Sequence, residues 1–217
     1  ASSTEPSSPK NGSIWWDTTN SKIFVYIDGE FKETVIIPAK ANLGERAFFA
    51  TDNGYIDYFS ITTIANAQDF GDLTSVRFQN GASSNGSRIT WAGGYNYGTS
   101  SAENTIDYVE AATAANAQDF GDLAVARRGG HHSVVGDGTY GFFTGGRNSS
   151  NTTINNIDYW TMATTGNASD FGDMVIASMD RAAACDKTYA VVAGGYDSSS
   201  SDDIDYFTTA TTGNASD

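Results

Sequence analysis

The stretch IDYVEAATAANAQDFGD, residues 106–122, is the phrase on which the chain is built. It opens with Ile106-Asp107-Tyr108, runs through a short β-type segment to Asn116, and closes on Asp119-Phe120-Gly121-Asp122. The same phrase begins at Ile56-Asp57-Tyr58 and reaches Asn66 and Asp69 to Asp72. It begins again at Ile157-Asp158-Tyr159 and reaches Asn167 and Asp170 to Asp173. A fourth copy starts at Ile204-Asp205-Tyr206, passes Asn214 and stops at Asp217. The asparagines at 66, 116, 167 and 214 are 50, 51 and 47 residues apart. A period of that length marks an array of one supersecondary unit, each copy burying its apolar face against the next.

Ahead of each phrase lies an apolar strand, and in three copies it ends in paired glycines. These are Ile89 to Gly94, Tyr140 to Gly146 and Tyr189 to Gly195; the first copy, Arg46 to Thr51, lacks the pair. A variable polar loop follows: Tyr95 to Thr105, Arg147 to Asn156, and Tyr196 to Asp203. Each unit thus holds four short strands, the content of one blade of a β-propeller. Strand ends that converge in such a fold favour glycine, which has no side chain to crowd and takes φ > 0 freely.

Apolar residues followed by Gly-Gly, a variable loop, a strand and then Leu123-Ala-Val-Ala126-Arg127-Arg128 resemble a kelch blade. The kelch tryptophan after the tyrosine strand is missing, and Phe70, Phe120 and Phe171 stand as candidates for its place. The resemblance spans residues 43–217. The particular wording, Ile-Asp-Tyr leading to Asn-Ala-Ser-Asp-Phe-Gly-Asp, is also similar to repeats in virion structural and tail-fibre-like proteins of tailed phages, notably cyanophages. About three units and a truncated fourth cannot close a disc of roughly four to eight blades. The expectation is therefore an all-β, kelch-like β-propeller that is incomplete in this sequence: either a piece of a longer chain, which is the simpler reading, or one whose blades are shared between chains.

The region before the repeats divides in two. Residues 1–12 have the Pro/Ser character of a linker or docking arm. Residues 13–40 read as a three-stranded β-meander: Ile14-Trp15-Trp16, then Lys22 to Ile27, an Asp28-Gly29 turn, and Glu30 to Ile37. So small a unit has little core of its own. Its aromatics Trp15, Trp16, Phe24, Tyr26 and Phe31 are expected to dock onto another surface. The Pro-x-Asn-Gly-Ser-Ile-Trp-Trp-Asp start is similar to short modules of phage fibre and neck proteins.

Composition excludes several classes. With 12 Lys+Arg against 26 Asp+Glu the formal net charge is −14 over 217 residues, the wrong sign for nucleic acid or an anionic membrane. No stretch approaches the ~20 apolar residues of a membrane helix. The single cysteine, Cys185, cannot form an internal disulfide and reads as a small apolar side chain.

Motifs that imitate chemistry give way to structural readings. Asp-Phe-Gly at 69, 119 and 170 copies a kinase magnesium motif but recurs at the repeat period without a catalytic loop. Phe then fills the core, Gly takes a turn, and Asp bonds local amides. Gly136-Asp-Gly138-Thr-Tyr-Gly141 fits G-x-G-x-x-G yet joins two strand-like runs, so a hairpin is expected. His131-His132 would face opposite sides of a strand and cannot readily share a metal. Loop acids Asp197, Asp202 and Asp203 are weak calcium candidates.

No catalytic residue, metal or cofactor is therefore expected, and binding remains. The loops after Gly-Gly differ most between copies and carry Tyr95, Asn96, Tyr97, Arg147, Asn148, Tyr196 and Asp197, side chains suited to glycan or protein surfaces. The resemblance implies a non-enzymatic phage virion protein, a fibre-like appendage or decoration in the extracellular particle. Its partners would be other virion proteins and a host-surface glycan or protein, with homo-oligomers expected. The alternatives are a carbohydrate-binding or carbohydrate-acting propeller and a cellular kelch adaptor.

Overall fold

The structure, a computed structural model, describes residues 45–129 and 133–217 and, before them, residues 4, 7, 8, 10, 14–17, 22–27 and 29–34. The described residues form strands and no α-helix. The chain divides into two compact units, Ala1–Asn42 and Leu43–Asp217.

The first unit is an antiparallel sheet of β1 (Ile14–Asp17), β2 (Lys22–Ile27) and β3 (Glu30–Thr34) in the order β1-β2-β3. Its register sets Trp15 opposite Phe24 and Tyr26 opposite Phe31. Because strand positions alternate between faces, these four share one face and Trp16 belongs to the other. Gly29 turns the β2–β3 hairpin at φ 92°.

The second unit is a row of small antiparallel sheets, one per repeat. The first holds β4 (Arg46–Ala50), β5 (Tyr55–Ser60) and β6 (Gln68–Asp72). The second is β7 (Gly81–Ser84), β8 (Arg88–Ala92), β11 (Thr105–Glu110) and β12 (Gln118–Asp122), with the hairpin β9 (Tyr95–Asn96) and β10 (Ser101–Ala102) between. The third is β14 (Val134–Gly136), β15 (Tyr140–Thr144), β17 (Asn156–Thr161) and β18 (Ser169–Asp173). Short β13 (Arg127–Arg128) pairs with β16 (Arg147–Asn148) beside it. The fourth has β19 (Ala182–Cys185), β20 (Tyr189–Ala193) and β23 (Ile204–Thr208), with the hairpin β21 (Tyr196–Asp197) and β22 (Ser199–Ser200). A lone antiparallel bridge joins Tyr206 to Ser216. Along one side of the row β7 neighbours β14, and β14 neighbours β19.

Three apolar cores lie between successive sheets. Ile56 and Phe70 meet Ile89, Trp91 and Val109; Ile106 and Phe120 meet Phe143 and Trp160; Ile157 and Phe171 meet Val192 and Phe207. The repeated phenylalanine owes its place to a β-bulge. Opposite Ile56-Asp57 the partner strand goes from Gly71 directly to Asp69, leaving Phe70 as the extra residue, and the same shift recurs at Ile106-Asp107 and Ile157-Asp158. A bulge re-aims the side chain it carries. Here Phe70 turns onto Phe48 and Tyr58, with edge-to-face ring centroids 5.0 and 5.6 Å apart.

Two sequence expectations are corrected at this phrase. The glycine of Asp-Phe-Gly lies inside a strand, not in a turn, and Asp69, Asp119 and Asp170 are exposed without bonding local amides. Glycine is required because the following unit passes directly over it. A Cβ on Gly121 would sit 2.4 Å from the carbonyl oxygen of Gly166, and φ there is 148°. The phrase is instead a stitch between units. Asn116 Oδ1 accepts from the Asp72 N–H (3.2 Å), Asn167 Oδ1 from Asp122 (3.0 Å), and Asn214 Oδ1 from Asp173 (3.1 Å). Residues 136–141 join β14 to β15 as an antiparallel hairpin.

Gly121→Ala is expected to cost roughly 2–4 kcal/mol in urea unfolding, backbone strain adding to overpacking. Gly138→Ala, at φ 89° but facing open space, should cost only about 1 kcal/mol.

Candidate functional site

Between one sheet and the next the chain runs through a short linker, and each of three linkers sends an arginine inward. Arg77 Nη1 lies 2.9 Å from Asp107 Oδ2, Arg127 Nη2 2.6 Å from Asp158 Oδ2, and Arg181 Nη1 2.7 Å from Asp205 Oδ2. All six side chains are at most 1% exposed. The carboxylates are those of Ile-Asp-Tyr. Each guanidinium also reaches the first glycine of a Gly-Gly pair: Arg77 Nε donates to the Gly93 carbonyl (2.8 Å), Arg127 Nη1 to Gly145 (3.4 Å), and Arg181 Nε to Gly194 (2.8 Å). A Cβ on Gly93 would fall 2.5 Å from the Arg127 carbonyl oxygen, where φ is 61°, so the linker can pass only over glycine.

The same carboxylates collect donors from the preceding linker. Asp107 accepts from the Thr74 N–H and hydroxyl (3.0 and 2.6 Å), and Asp158 from the Ala124 N–H (2.9 Å). Burial pushes the Arg127 pKa below its ordinary value, with Asp158 and then Asp170 pulling it back up. Its contact to Asp158 is an ion pair off the hydrogen-bond axis, since Nη2 has no aligned acceptor. In the fourth sheet Ser178 stands at the Arg77 position, and Arg181 enters from three residues further on. That detour leaves Arg181 Nη2 and Asp205 Oδ1 without hydrogen bonds among the described residues. These charges are structural: each is neutralised inside a sheet and repeated.

The loops after Gly-Gly form the candidate site. They are short hairpins side by side on one surface. Ser101 Oγ donates to Ser149 Oγ (3.3 Å), and Thr153 Oγ1 donates to Asp197 Oδ1 (2.8 Å), so the three loops are tied in series. Each turns through one non-glycine residue in the left-handed region: Ser100 at 53°, Asn151 at 62° and Ser198 at 57°.

The seven loop residues divide by what their side chains already do. Asn96 donates to Glu103 (2.7 Å) and accepts from the Gly98 N–H (2.8 Å), while Asn148 accepts from the Thr152 N–H (3.0 Å). Both shape their own turns. Tyr95 is half-buried under the Arg128 guanidinium at 4.5 Å, and Arg147 reaches Asn151 at 3.5 Å. Tyr97, 70% exposed, stacks on Phe78 with centroids 4.2 Å apart, and Tyr196 is 45% exposed beside Asp197. The surface thus presents Tyr97, Tyr196 and the free oxygen of Asp197, with Arg128 held by Asn151 (3.0 Å) between them.

Phe78 and Arg128 were not visible as site residues in the sequence. The available signal was position: each directly follows a linker arginine and bridges to the residue after Gly-Gly, Phe78 to Tyr95 and Arg128 to Arg147. Of the docking candidates in the N-terminal unit, Trp15 and Trp16 lie on β1, Phe24 and Tyr26 on β2 and Phe31 on β3, and Tyr26 is half-buried. His131-His132 lies outside the described residues. Among the described residues no group of three His, Cys, Asp or Glu could hold a metal. Cys185 is a half-buried free thiol whose pKa burial pushes up.

Arg127→Met should cost roughly 3–5 kcal/mol in urea unfolding, because Asp158 stays buried without its cation, and the double variant Arg127→Met/Asp158→Leu should recover most of that loss. Ser178→Arg with Arg181→Asn moves the fourth guanidinium back to the place used in the other sheets and should be clearly more stable than Arg181→Asn alone. No protein-family model and no curated protein matches the chain.

Proposed function

We propose that residues 43–217 are kelch-like propeller blades and that the loops after Gly-Gly bind a glycan or protein surface. The observation that carries this reading is the row of three hairpins tied by Ser101–Ser149 and Thr153–Asp197, with Tyr97 and Tyr196 projecting from it. Exposed tyrosines beside carboxylate and guanidinium groups stack on sugar rings or side chains at little entropic cost. The sheets beneath hold their charges in internal ion pairs, so the rigid scaffold offers its chemistry through loops.

The chain is read as a non-enzymatic structural protein of a phage virion, a fibre-like appendage or decoration in the extracellular particle. The similarity of its repeats and of Ile14-Trp15-Trp16-Asp17 to phage fibre modules supports this. A net charge of −14 suits an exposed, self-repelling surface. The N-terminal sheet, with four aromatic positions on one face by register, is the docking module toward other virion proteins.

Binding of the chain to host cells, or to a glycan array, tests the loop assignment. Tyr97→Ala/Tyr196→Ala should weaken it at least about tenfold, as expected for two aromatic anchors, with the unfolding midpoint unchanged. Equal binding by parent and variant would remove the loops from the site. Deleting residues 1–40 should abolish incorporation into particles while leaving loop binding intact.

A further inference from the structure

Three bridges of one kind join a linker to the residue after Gly-Gly: Phe78 to Tyr95, Arg128 to Arg147, and Met179 to Tyr196. The first sets an aromatic residue opposite an aromatic one, and the third sets an apolar residue opposite an aromatic one. The middle bridge sets cation opposite cation. Directly opposed side chains of an antiparallel pair lie about 5 Å apart at Cβ, and like charges there are destabilising. A departure from a local rule that the sister bridges keep is a mark of function.

The other arginines have acceptors matched to them. Arg77, Arg127 and Arg181 are paired with buried aspartates and Arg88 with Glu110 (2.6 Å), while Arg46 donates to the Ala111 carbonyl (2.9 Å). Among the described residues, Arg128 and Arg147 ion-pair with no carboxylate, in a chain that carries 26 acidic against 12 basic residues. They share one neutral acceptor, Asn151 Oδ1, at 3.0 Å from Arg128 Nη2 and 3.5 Å from Arg147 Nη1. A guanidinium carries several further N–H donors. Arg147 Nε is buried without a hydrogen bond among the described residues.

The arginine pair is continuous with the aromatic part of the loop surface. Arg128 lies over the Tyr95 ring at 4.5 Å, and that ring meets Tyr97 edge-to-face at 5.7 Å. Tyr97 has one face on Phe78 and is 70% exposed. The carboxylates of these loops are already engaged: Glu103 accepts from Asn96 and Ser75 (2.7 and 2.6 Å), and Asp197 from Thr153 (2.8 Å). A free aromatic face with hydroxyls and unpaired guanidiniums beside it suits a sugar that bears an acid group.

We propose that Arg128 and Arg147 form an anion site, and that the ligand of the loops is an acidic glycan. Its carboxylate or sulfate is held by the two guanidiniums, and a nearby sugar ring stacks on Tyr97. This rests on the reading that the loops after Gly-Gly bind a glycan. Guanidinium forks match such groups with paired hydrogen bonds, and the anion offsets the repulsion built into the bridge. The net charge of −14 does not prevent this. At about 0.1 M salt its field is screened over roughly 10 Å, whereas the guanidiniums act in contact.

The probes are labelled fragments of polygalacturonate, alginate, hyaluronan and a sulfated galactan. Methyl esters of the uronates and unsulfated galactan are the neutral counterparts, and a polyglutamate peptide is the protein counterpart. At least one acidic fragment should bind saturably, at least about tenfold more tightly than its neutral form, as expected for close charge pairs. Arg128→Gln/Arg147→Gln should remove that preference without lowering the unfolding midpoint, and Tyr97→Ala should weaken the acidic and neutral forms alike. The inference is overturned if no fragment binds, if the arginine variant keeps the preference, or if polyglutamate binds as tightly through the same arginines. Equal binding of acidic and neutral forms that is lost in Tyr97→Ala overturns it too, but leaves the loop reading standing. An arginine-dependent preference that Tyr97→Ala leaves untouched keeps the anion site and overturns the reading of the tyrosines.

Discussion

A buried carboxylate sits near the middle of sheets two, three and four, and in each a guanidinium comes to meet it, since a buried charge must be paired. That requirement fixes the path of every linker. To reach Asp107, Arg77 must cross the end of β8 over Gly93 and Gly94, and in doing so it delivers the chain to β7. The paired glycines, the flanking strand and the position of the loop hairpins all follow from the arginine's route. Desolvating a charge pair of this kind adds little net stability compared with an apolar substitute. What it supplies is a unique path, because a linker shifted by one residue would leave a buried charge alone. The fourth sheet illustrates the tolerance of the rule: the guanidinium enters from a different residue, yet finds the same carboxylate and the same glycine carbonyl.

The interior and the loop surface therefore divide the polar residues between them. Inside, Arg and Asp are matched one to one and repeat. On the hairpin surface the same residue types differ between copies: Phe78, Arg128 and Met179 occupy one equivalent position, and Tyr95, Arg147 and Tyr196 another. A frame that repeats while its rim varies can change its surface chemistry by substitution at the rim, with no change in packing. The hairpins are held by bonds between neighbouring loops as well as by their own turns.

The period, the four strands of the second and third units and the hairpin at residues 136–141 were legible in the sequence because they depend on local pattern: alternation, glycine pairs and turn residues. The first and fourth sheets have three strands among the described residues, not the four expected of every unit. The phenylalanines at 70, 120 and 171 were rightly read as core. What was not legible depends on pairing between units. Nothing near Gly121 in the sequence announces that Gly166 passes over it, so a strand glycine was read as a turn. The arginine partners of Asp107, Asp158 and Asp205 were not legible, because they lie 30, 31 and 24 residues upstream and the third has moved by three positions, which hides the regularity. At the loops, residue type suggested all seven candidates equally. Only the geometry separates Asn96 and Asn148, which are spent on their own turns, from Tyr97 and Tyr196, which point outward.

The asparagine stitch runs in one direction. Asn116 caps the end of β6, Asn167 that of β12 and Asn214 that of β18, so each unit is finished by the unit that follows it. Emerging from a ribosome, a sheet would remain incomplete until another 41 to 45 residues had been made, its glycine uncovered and its last amide unbonded. Such an array would fold one repeat in arrears of its synthesis.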